Sequence, residues 1–149
     1  MDRIVVGIDG SEGSQRALAW ALDDARRRGG VTVEVVHAWE PPVLVGSPVG
    51  AVPPVPVEGP YTDVAHQILA DAVAAVDSSG LTVEQVVIEG APGAALCDRS
   101  AAAALLVVGS SGHGAVMDAL IGSVSQYCAH HAACPLVLIP TQKKAKKKK

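Results

Sequence analysis

Residues 107–125, VVGSSGHGAVMDALIGSVS, combine the residue types and spacing that could do chemistry. The segment carries four glycines and four serines, but no lysine or arginine, and it lies between two short apolar runs. Glycines let the backbone bend tightly and bring its N–H groups close to a ligand. A glycine-serine pair at the start of a helix adds hydroxyl donors to the free N–H groups there, which attract anions. The segment is therefore a candidate phosphate-binding loop.

The same segment also has a purely structural interpretation. A strand–loop–helix connection uses an ordinary glycine turn and a serine cap without binding anything. The familiar short phosphate motifs do not occur in the sequence, which has neither the GK[ST] of a Walker A loop nor a G-x-G-x-x-G pattern. Spacing alone therefore leaves phosphate binding and an ordinary turn both open.

Length and composition limit the classes of protein to which this chain can belong. With 149 residues, 49% of them hydrophobic, the chain is long enough for a single domain with a sizeable core. No apolar run approaches the roughly 18 residues of a membrane-spanning helix, and the first residues do not resemble a secretion signal. We therefore expect a cytoplasmic protein without a membrane partner. Its three cysteines are expected to be reduced and mostly buried, because their number is odd and no C-x-x-C pair occurs.

The charge of the chain is unevenly distributed. All six lysines lie within residues 143–149, and the rest of the chain has six arginines against 15 acidic residues. An acidic body disfavours nucleic-acid binding, and two tryptophans and two tyrosines are too few for a base-stacking platform. We expect no specific nucleic-acid partner. We interpret residues 143–149 as a disordered lysine-rich tail that follows a single domain over residues 1–142.

Hydrophobic periodicity predicts strands and helices that alternate along the chain. The predicted strands cover 3–8, 31–38, 81–89, 104–108 and 135–139, and the predicted helices cover 14–28, 61–76, a short stretch from 92, and 122–131. The proline-rich segment 41–60 is expected to be a surface loop or a lid. Alternation with near-continuous apolar strands predicts a doubly wound parallel sheet with helices on both faces. Ligands bind such sheets at the carboxyl ends of the strands, where both glycine-bearing turns fall.

Two other residue groups suggest chemistry that we consider less favourable. Residues 128–134 contain a C-x-H-H-x2-C pattern, but adjacent histidines on a helix point about 100° apart, which disfavours a shared zinc ion. His37, Asp9 and Ser123 could form a hydrolytic triad, but the sequence lacks a nucleophile elbow. A helix leading into the last strand and a non-hydrolytic site are the simpler interpretations.

The spacing Gly109-x2-Gly112-x9-Gly122-Ser123 matches the G-x2-G-x9-G-[S/T] signature of the ATP-binding branch of the universal stress protein family. The strings IVVGIDGS, VVHAW, EGAP and CPLVLIP also resemble that family, so the similarity covers residues 2–140. The resemblance implies an α/β fold with an open, doubly wound, five-stranded parallel sheet in the order 3-2-1-4-5. Such a fold is Rossmann-like and adenine nucleotide alpha hydrolase-like, with helices on both faces. The resemblance also implies a homodimer formed through the C-terminal strand.

The same resemblance implies a site for an adenine nucleotide, ATP or else ADP or AMP, with Mg²⁺ or Mn²⁺. Asp9 would lie near the base and ribose or near the metal ion, and Ala38 would contact the base through its backbone. The other implied nucleotide-binding residues lie on the first strand and around the candidate loop, and they are Gly7, Val108, Gly109, Gly112, Gly122, Ser123, Val124 and Ser125.

The missing cation favours nucleotide binding over catalysis. Phosphoryl-transfer catalysts place Lys or Arg on the developing charge and a base or water-positioning group beside it, whereas residues 107–125 offer only His113 and Asp118 as ionisable groups. Backbone N–H groups and a metal ion beside Asp9 would then neutralise the phosphates. We expect an ATP-binding sensor or regulator of the stress response with an unidentified protein partner. A slow ATPase or phosphotransferase and a nucleotide-free partner-binding scaffold are the alternatives.

Overall fold

A computed structural model describes residues 2–41, 60–111 and 121–140 of the chain. These residues form one parallel sheet in the order β3-β2-β1-β4-β5. The elements in chain order are β1 (Arg3–Gly7), α1 (Glu12–Arg28), β2 (Thr32–Trp39), α2 (Pro60–Ala74), β3 (Thr82–Glu89), α3 (Pro92–Ser100), β4 (Leu105–Gly109), α4 (Ser123–His131) and β5 (Leu136–Ile139). The predicted doubly wound sheet and its strand order are confirmed.

The observed element bounds lie within two residues of the predicted ones. The first helix begins at Glu12 rather than at residue 14 because Ser11 caps it: the Ser11 hydroxyl oxygen accepts a hydrogen bond from the Ser14 N–H at 3.2 Å. This cap extends the helix towards the end of β1. Most of the predicted loop at 41–60 and the whole predicted tail at 143–149 lie outside the described residues.

Helices cover both faces of the sheet, and each face has its own apolar cluster. Successive residues of a strand point to opposite faces, so Val6 and Val33 pack with α1 and α2 while Val5 and Val36 pack with α3 and α4. The edge strand β3 departs from the predicted continuous apolar pattern: its exposed residues are Thr82, Glu84, Gln85 and Glu89. None of the helices among the described residues has the length and apolar character needed to cross a membrane.

The three cysteines are free, as predicted, and lie on the α3 and α4 side of the sheet. Cys97 and Cys128 are buried and Cys134 is half-buried. Burial raises the pKa of the Cys128 thiol to about 12. At neutral pH this thiol is therefore protonated and packs as a small apolar group.

A buried carboxylate in the middle of β2 is the main polar feature of the core. The Glu34 side chain is 1% exposed, and its two oxygens accept hydrogen bonds from Arg3 and Arg99, the first at 3.3 Å. Arg3 also donates to Glu84 on the neighbouring strand at 2.6 Å. Two guanidinium groups thus neutralise a charge whose burial alone would be costly. The sequence analysis did not predict this cluster.

Candidate functional site

The carboxyl ends of β1 and β4 lie side by side at the centre of the sheet, where the strand order reverses. The chain leaves β1 for α1 on one face of the sheet and leaves β4 towards α4 on the other. In doubly wound sheets such divergent connections form a crevice that binds ligands, and we use this name, the crevice, for the carboxyl edge between β1 and β4. The start of the second glycine-bearing turn, Gly109, lies against the backbone of Gly13 in the first turn of α1, whereas residues 112–120 of that turn lie outside the described residues.

The turn after β1 fixes the position of Asp9. One carboxylate oxygen of Asp9 accepts hydrogen bonds from the N–H of Ser11, at 2.9 Å, and from the Ser11 hydroxyl. Gly10 has a φ of +84°, a left-handed conformation that glycine adopts without strain. The Asp9 N–H also donates to the Ser14 hydroxyl oxygen at 3.3 Å. These bonds hold the carboxylate at the mouth of the crevice, beside the first turn of α1.

The end of β4 approaches α1 so closely that side chains are excluded. A Cβ atom on Gly109 would lie 2.9 Å from the carbonyl carbon and oxygen of Gly13. Conversely, a Cβ atom on Gly13 would lie 2.7 Å from the carbonyl oxygen of Ser111. The sequence analysis missed Gly13. Gly13 precedes the predicted start of α1 at residue 14 and is the second residue of the observed helix, so no local pattern singled it out.

Three hydrogen bonds hold the start of α4 against the ends of β4 and β5. The Ser110 N–H donates to the Ile139 carbonyl at 2.8 Å, and the Gly122 N–H donates to the Ser110 carbonyl at 2.6 Å. The buried Ser125 hydroxyl donates to the Gly109 carbonyl at 2.7 Å. The Ser125 hydroxyl therefore fastens the first turn of α4 to the end of β4.

The two helix N-termini at this edge differ in their electrostatics. Ser11 caps α1, and Glu12 adds a negative charge to its first turn. The N-cap residue of α4 is Gly122, which has no side chain to accept from the first-turn N–H groups, and that turn contains no acidic residue. Because the helix dipole concentrates positive potential at an N-terminus, the start of α4 is the better position for an anion.

The end of β2 forms the other side of the crevice. The buried His37 donates from Nδ1 to the Ile8 carbonyl oxygen at 2.7 Å, since a carbonyl can only accept. Ala38 follows in register beside Ile88 of β3. Trp39 stacks on Tyr61 with ring centroids 6.2 Å apart. His37 thus ties the ends of β1 and β2 together, and its Nδ1 is engaged by a backbone carbonyl rather than by Asp9.

The other predicted site residues occupy different environments. A Cβ atom on Gly7 would lie 2.8 Å from a methyl group of Leu96, so Gly7 packs against α3. Val108 and Val124 pack their side chains into the α3 and α4 cluster, so their backbone is the part available to a ligand. Ser123 is exposed at the start of α4. Gly112 lies outside the described residues.

Among the described residues, no three His, Cys, Asp or Glu side chains converge as a metal site would require. In the C-x-H-H-x2-C pattern, Cys128 is buried in the core whereas His130 and His131 are exposed. His131 instead stacks on Tyr127, with ring centroids 4.1 Å apart. The pattern therefore belongs to the packing of α4 and its entry into β5.

A second concave surface lies at the opposite, amino edge of the sheet. This cleft of about 650 Å³ is lined by the starts of β1, β2 and β3 and by the end of α1. Its arginines already have carboxylate partners, since Arg3 pairs with Glu34 and Glu84 and Arg26 pairs with Asp23. The carboxyl edge, where Gly122 gives α4 no side-chain cap, is therefore the stronger candidate for a binding site among the described residues.

Comparison with known proteins points to one family. The Universal stress protein family matches residues 1–140. The universal stress proteins Rv2623 and Rv2005c of Mycobacterium tuberculosis are 35% identical over 138 residues and 37% identical over 137 residues. Each alignment covers 91% of this chain and 44% of the relative, so the chain spans less than half the length of these curated relatives.

Solved structures agree with the sequence relatives. The crystal structure of a universal stress protein in complex with cAMP is 25% identical to this chain. That similarity covers 95% of this chain and 98% of the solved one, with a TM-score of 0.70. Sequence, fold and strand order therefore agree, and the chain belongs to the universal stress protein family.

Proposed function

We propose that this chain binds ATP at the carboxyl ends of β1 and β4 and acts as a nucleotide-dependent sensor or regulator in the stress response. The observation that carries the proposal is the close approach of Gly109 to Gly13 beside the N-terminus of α4, whose N-cap residue Gly122 has no side chain to cap it. No side chain fits between the two backbones there, and the N–H groups in the first turn of α4 are the donors that we assign to the ligand. Such donors are suited to phosphate groups.

In the proposed complex the phosphates lie at the start of α4 and the base lies near the end of β2. The N–H groups of Ser123, Val124 and Ser125 would bind the phosphates, with the exposed Ser123 hydroxyl as a further donor. The backbone of Ala38 would contact the base. The assignment of the remaining nucleotide contacts stays a prediction from the family resemblance, and these residues are Gly7, Val108, Gly109, Gly112 and Gly122.

Similarity to a cAMP-bound universal stress protein supports an adenine nucleotide as the ligand. The spacing of glycines over residues 109–123 supports a longer phosphate chain, because it matches the ATP-binding branch of the family. Charge-assisted hydrogen bonds from backbone N–H groups contribute roughly 1.5–3 kcal/mol each, so each one strengthens phosphate binding by about one to two orders of magnitude.

A divalent cation would accompany the nucleotide. The Asp9 carboxylate at the crevice would repel phosphates unless a cation lies between them. Mg²⁺ and Mn²⁺ are commonly held by one or two carboxylates together with nucleotide phosphates and water, so a single aspartate fits such an ion. We therefore propose Asp9 as the protein ligand of Mg²⁺ or Mn²⁺, and the metal would screen the charge of the phosphates.

We propose that the chain retains ATP rather than turning it over. Phosphoryl-transfer enzymes position a general base or a water-orienting group next to the terminal phosphate. At this crevice we assign the Asp9 carboxylate to the metal ion, and His37 Nδ1 is engaged by a backbone carbonyl. We propose that the bound nucleotide then signals by changing the conformation of the loops or the binding of a protein partner.

Calorimetric titration with Mg-ATP tests this function, and we expect stoichiometric binding to the wild-type chain without multiple turnovers. Asp9→Asn is the sharpest variant, because its amide oxygen can still accept the Ser11 hydrogen bonds while the carboxylate charge is lost. We expect the variant to keep its fold and to lose the Mg²⁺ dependence of ATP binding. Equal Mg²⁺ dependence in both proteins would contradict the metal assignment, and no binding by the wild type would contradict the proposed function.

We also propose a cytoplasmic homodimer that forms along β5 of a domain covering residues 1–142. Among the described strands β5 pairs with β4 alone, and its apolar residues Leu136 to Leu138 are only half-buried. An exposed apolar edge is a template for pairing with a second copy.

Light scattering tests this assembly and should give a mass twice the 15.1 kDa of one chain. The variant Val137→Lys should lower the measured mass towards that of a monomer. A wild-type monomer at high concentration would contradict this assembly.

A further inference from the structure

The arginines of the described residues differ in whether a carboxylate neutralises them. Arg3, Arg26, Arg28 and Arg99 each form at least one ion pair with Asp or Glu. Like Arg27 at the other end of α1, Arg16 forms no ion pair with a described residue, although it lies on the same helix as Arg26 and Arg28. Its positive charge is therefore not offset by a neighbouring carboxylate in that part of the chain.

Arg16 lies at the same edge of the sheet as the proposed nucleotide site. It follows Gly13 by three residues, so both project from one side of α1, and Gly13 contacts the end of β4. Nη1 of Arg16 donates a hydrogen bond to the carbonyl oxygen of Pro140 at 2.7 Å. Pro140 directly follows β5, and the Ser110 N–H donates to the neighbouring Ile139 carbonyl. The guanidinium group is thus placed beyond the ends of β4 and β5.

The direction of the side chain follows from helix geometry. Side chains on a helix lean towards its N-terminus, and the N-terminus of α1 is at the carboxyl edge of the sheet. The Pro140 carbonyl orients the guanidinium group through one N–H but carries no formal charge to neutralise it. A guanidinium group has five N–H donors, so the others can bind an anion such as a phosphate in a bidentate manner.

We propose that Arg16 binds the terminal phosphates of a nucleoside triphosphate and supplies the cation that the glycine-serine segment lacks. This inference rests on the proposed function and extends it, because it makes Arg16 a residue that distinguishes ATP from AMP. The α-phosphate lies next to the ribose and is bound by backbone N–H groups. The β- and γ-phosphates extend further across the ends of β4 and β5, where the guanidinium group is held.

The test is to measure dissociation constants for Mg-ATP, Mg-ADP and AMP with wild type, Arg16→Gln and Arg16→Lys. Arg27→Gln is the matched control, since it removes the same charge from the same helix at its other end, away from the crevice. We expect Arg16→Gln to weaken ATP binding about 10- to 100-fold, because the charge-assisted contact to the phosphates is lost, and to change AMP binding little. Arg16→Lys should recover part of the ATP affinity, and Arg27→Gln should match the wild type.

The outcomes separate this inference from the proposed function. ATP binding by the wild type with an unchanged ATP-to-AMP affinity ratio in Arg16→Gln overturns the role of Arg16 and leaves the proposed function intact. An equal loss for ATP and AMP also overturns it, because a structural effect of the substitution would weaken both ligands. No binding of any of the three nucleotides by the wild type overturns both proposals.

Discussion

Gly109→Ala is expected to lower the free energy of unfolding by about 1–3 kcal/mol, the usual cost of overpacking a tight contact. The new Cβ atom would lie 2.9 Å from the carbonyl group of Gly13 and 3.3 Å from the Ser14 nitrogen, which are backbone atoms of α1. Backbone cannot rotate away, so β4 and α1 must separate. Separation would also displace the Gly109 carbonyl, which accepts from the Ser125 hydroxyl that holds α4. We therefore expect ATP binding to weaken as well.

Gly7→Ala is the matched control for this experiment. Gly7 ends β1 just as Gly109 ends β4, and its added Cβ atom would meet only side chains, with the shortest distance of 2.8 Å to a methyl group of Leu96. A leucine methyl group at the end of a flexible side chain can move at small cost. Urea unfolding of both variants should show a larger loss of stability for Gly109→Ala. Equal losses, or a more stable Gly109→Ala, would show that the contact between β4 and α1 is not tight.

The double variant Arg3→Met with Arg99→Met is expected to lower the free energy of unfolding by about 3–5 kcal/mol, the cost of leaving a buried charge without a partner. The Glu34 side chain is 1% exposed and would lose both guanidinium groups. The converse substitution, Glu34→Gln, should cost less. Its two arginines are 31% and 42% exposed and can turn to water once the carboxylate is gone.

Two comparisons make the Glu34 prediction specific. The double variant Arg26→Met with Arg28→Met removes the same two charges from surface ion pairs and should change the free energy of unfolding by less than about 1 kcal/mol for each pair. Chemical denaturation of all three proteins at neutral pH gives the ranking. The account would be contradicted if Glu34→Gln lowered the free energy of unfolding more than the loss of both Arg3 and Arg99. That result would show that the buried Glu34 carboxylate does not need the two arginines to neutralise it.

Local sequence patterns were sufficient to predict the sheet, since each strand and helix carries its own periodicity. Because β-branched runs alternate with helical apolar stripes such as that of α1, the sequence predicts a parallel sheet with helices on both faces. The right-handedness of strand–helix–strand connections then limits the possible strand orders. The exposed residues of β3 were not predicted. Four of its eight residues are polar, and these are the ones that its position at the edge of the sheet leaves exposed.

Contacts between distant segments could not be predicted from one sequence. The Glu34 cluster depends on the register that places Val5 and Glu84 beside Glu34, and on α3 bringing Arg99 across the sheet. In the candidate site, spacing predicted the glycines of the loop, whereas Gly13 and Arg16 belong to a different helix. Their closeness to the crevice follows from how α1 packs against β4, which no local pattern encodes.

The most direct test of ATP binding is to denature freshly purified protein and chromatograph the small molecules that it releases. The proposed function predicts a stoichiometric amount of adenine nucleotide, mainly ATP, from the wild-type chain and much less from Gly109→Ala. Release of ATP would also show that the chain retains it without rapid hydrolysis. If no nucleotide is released and added Mg-ATP gives no calorimetric signal, residues 107–125 form only a turn and the proposed function is wrong.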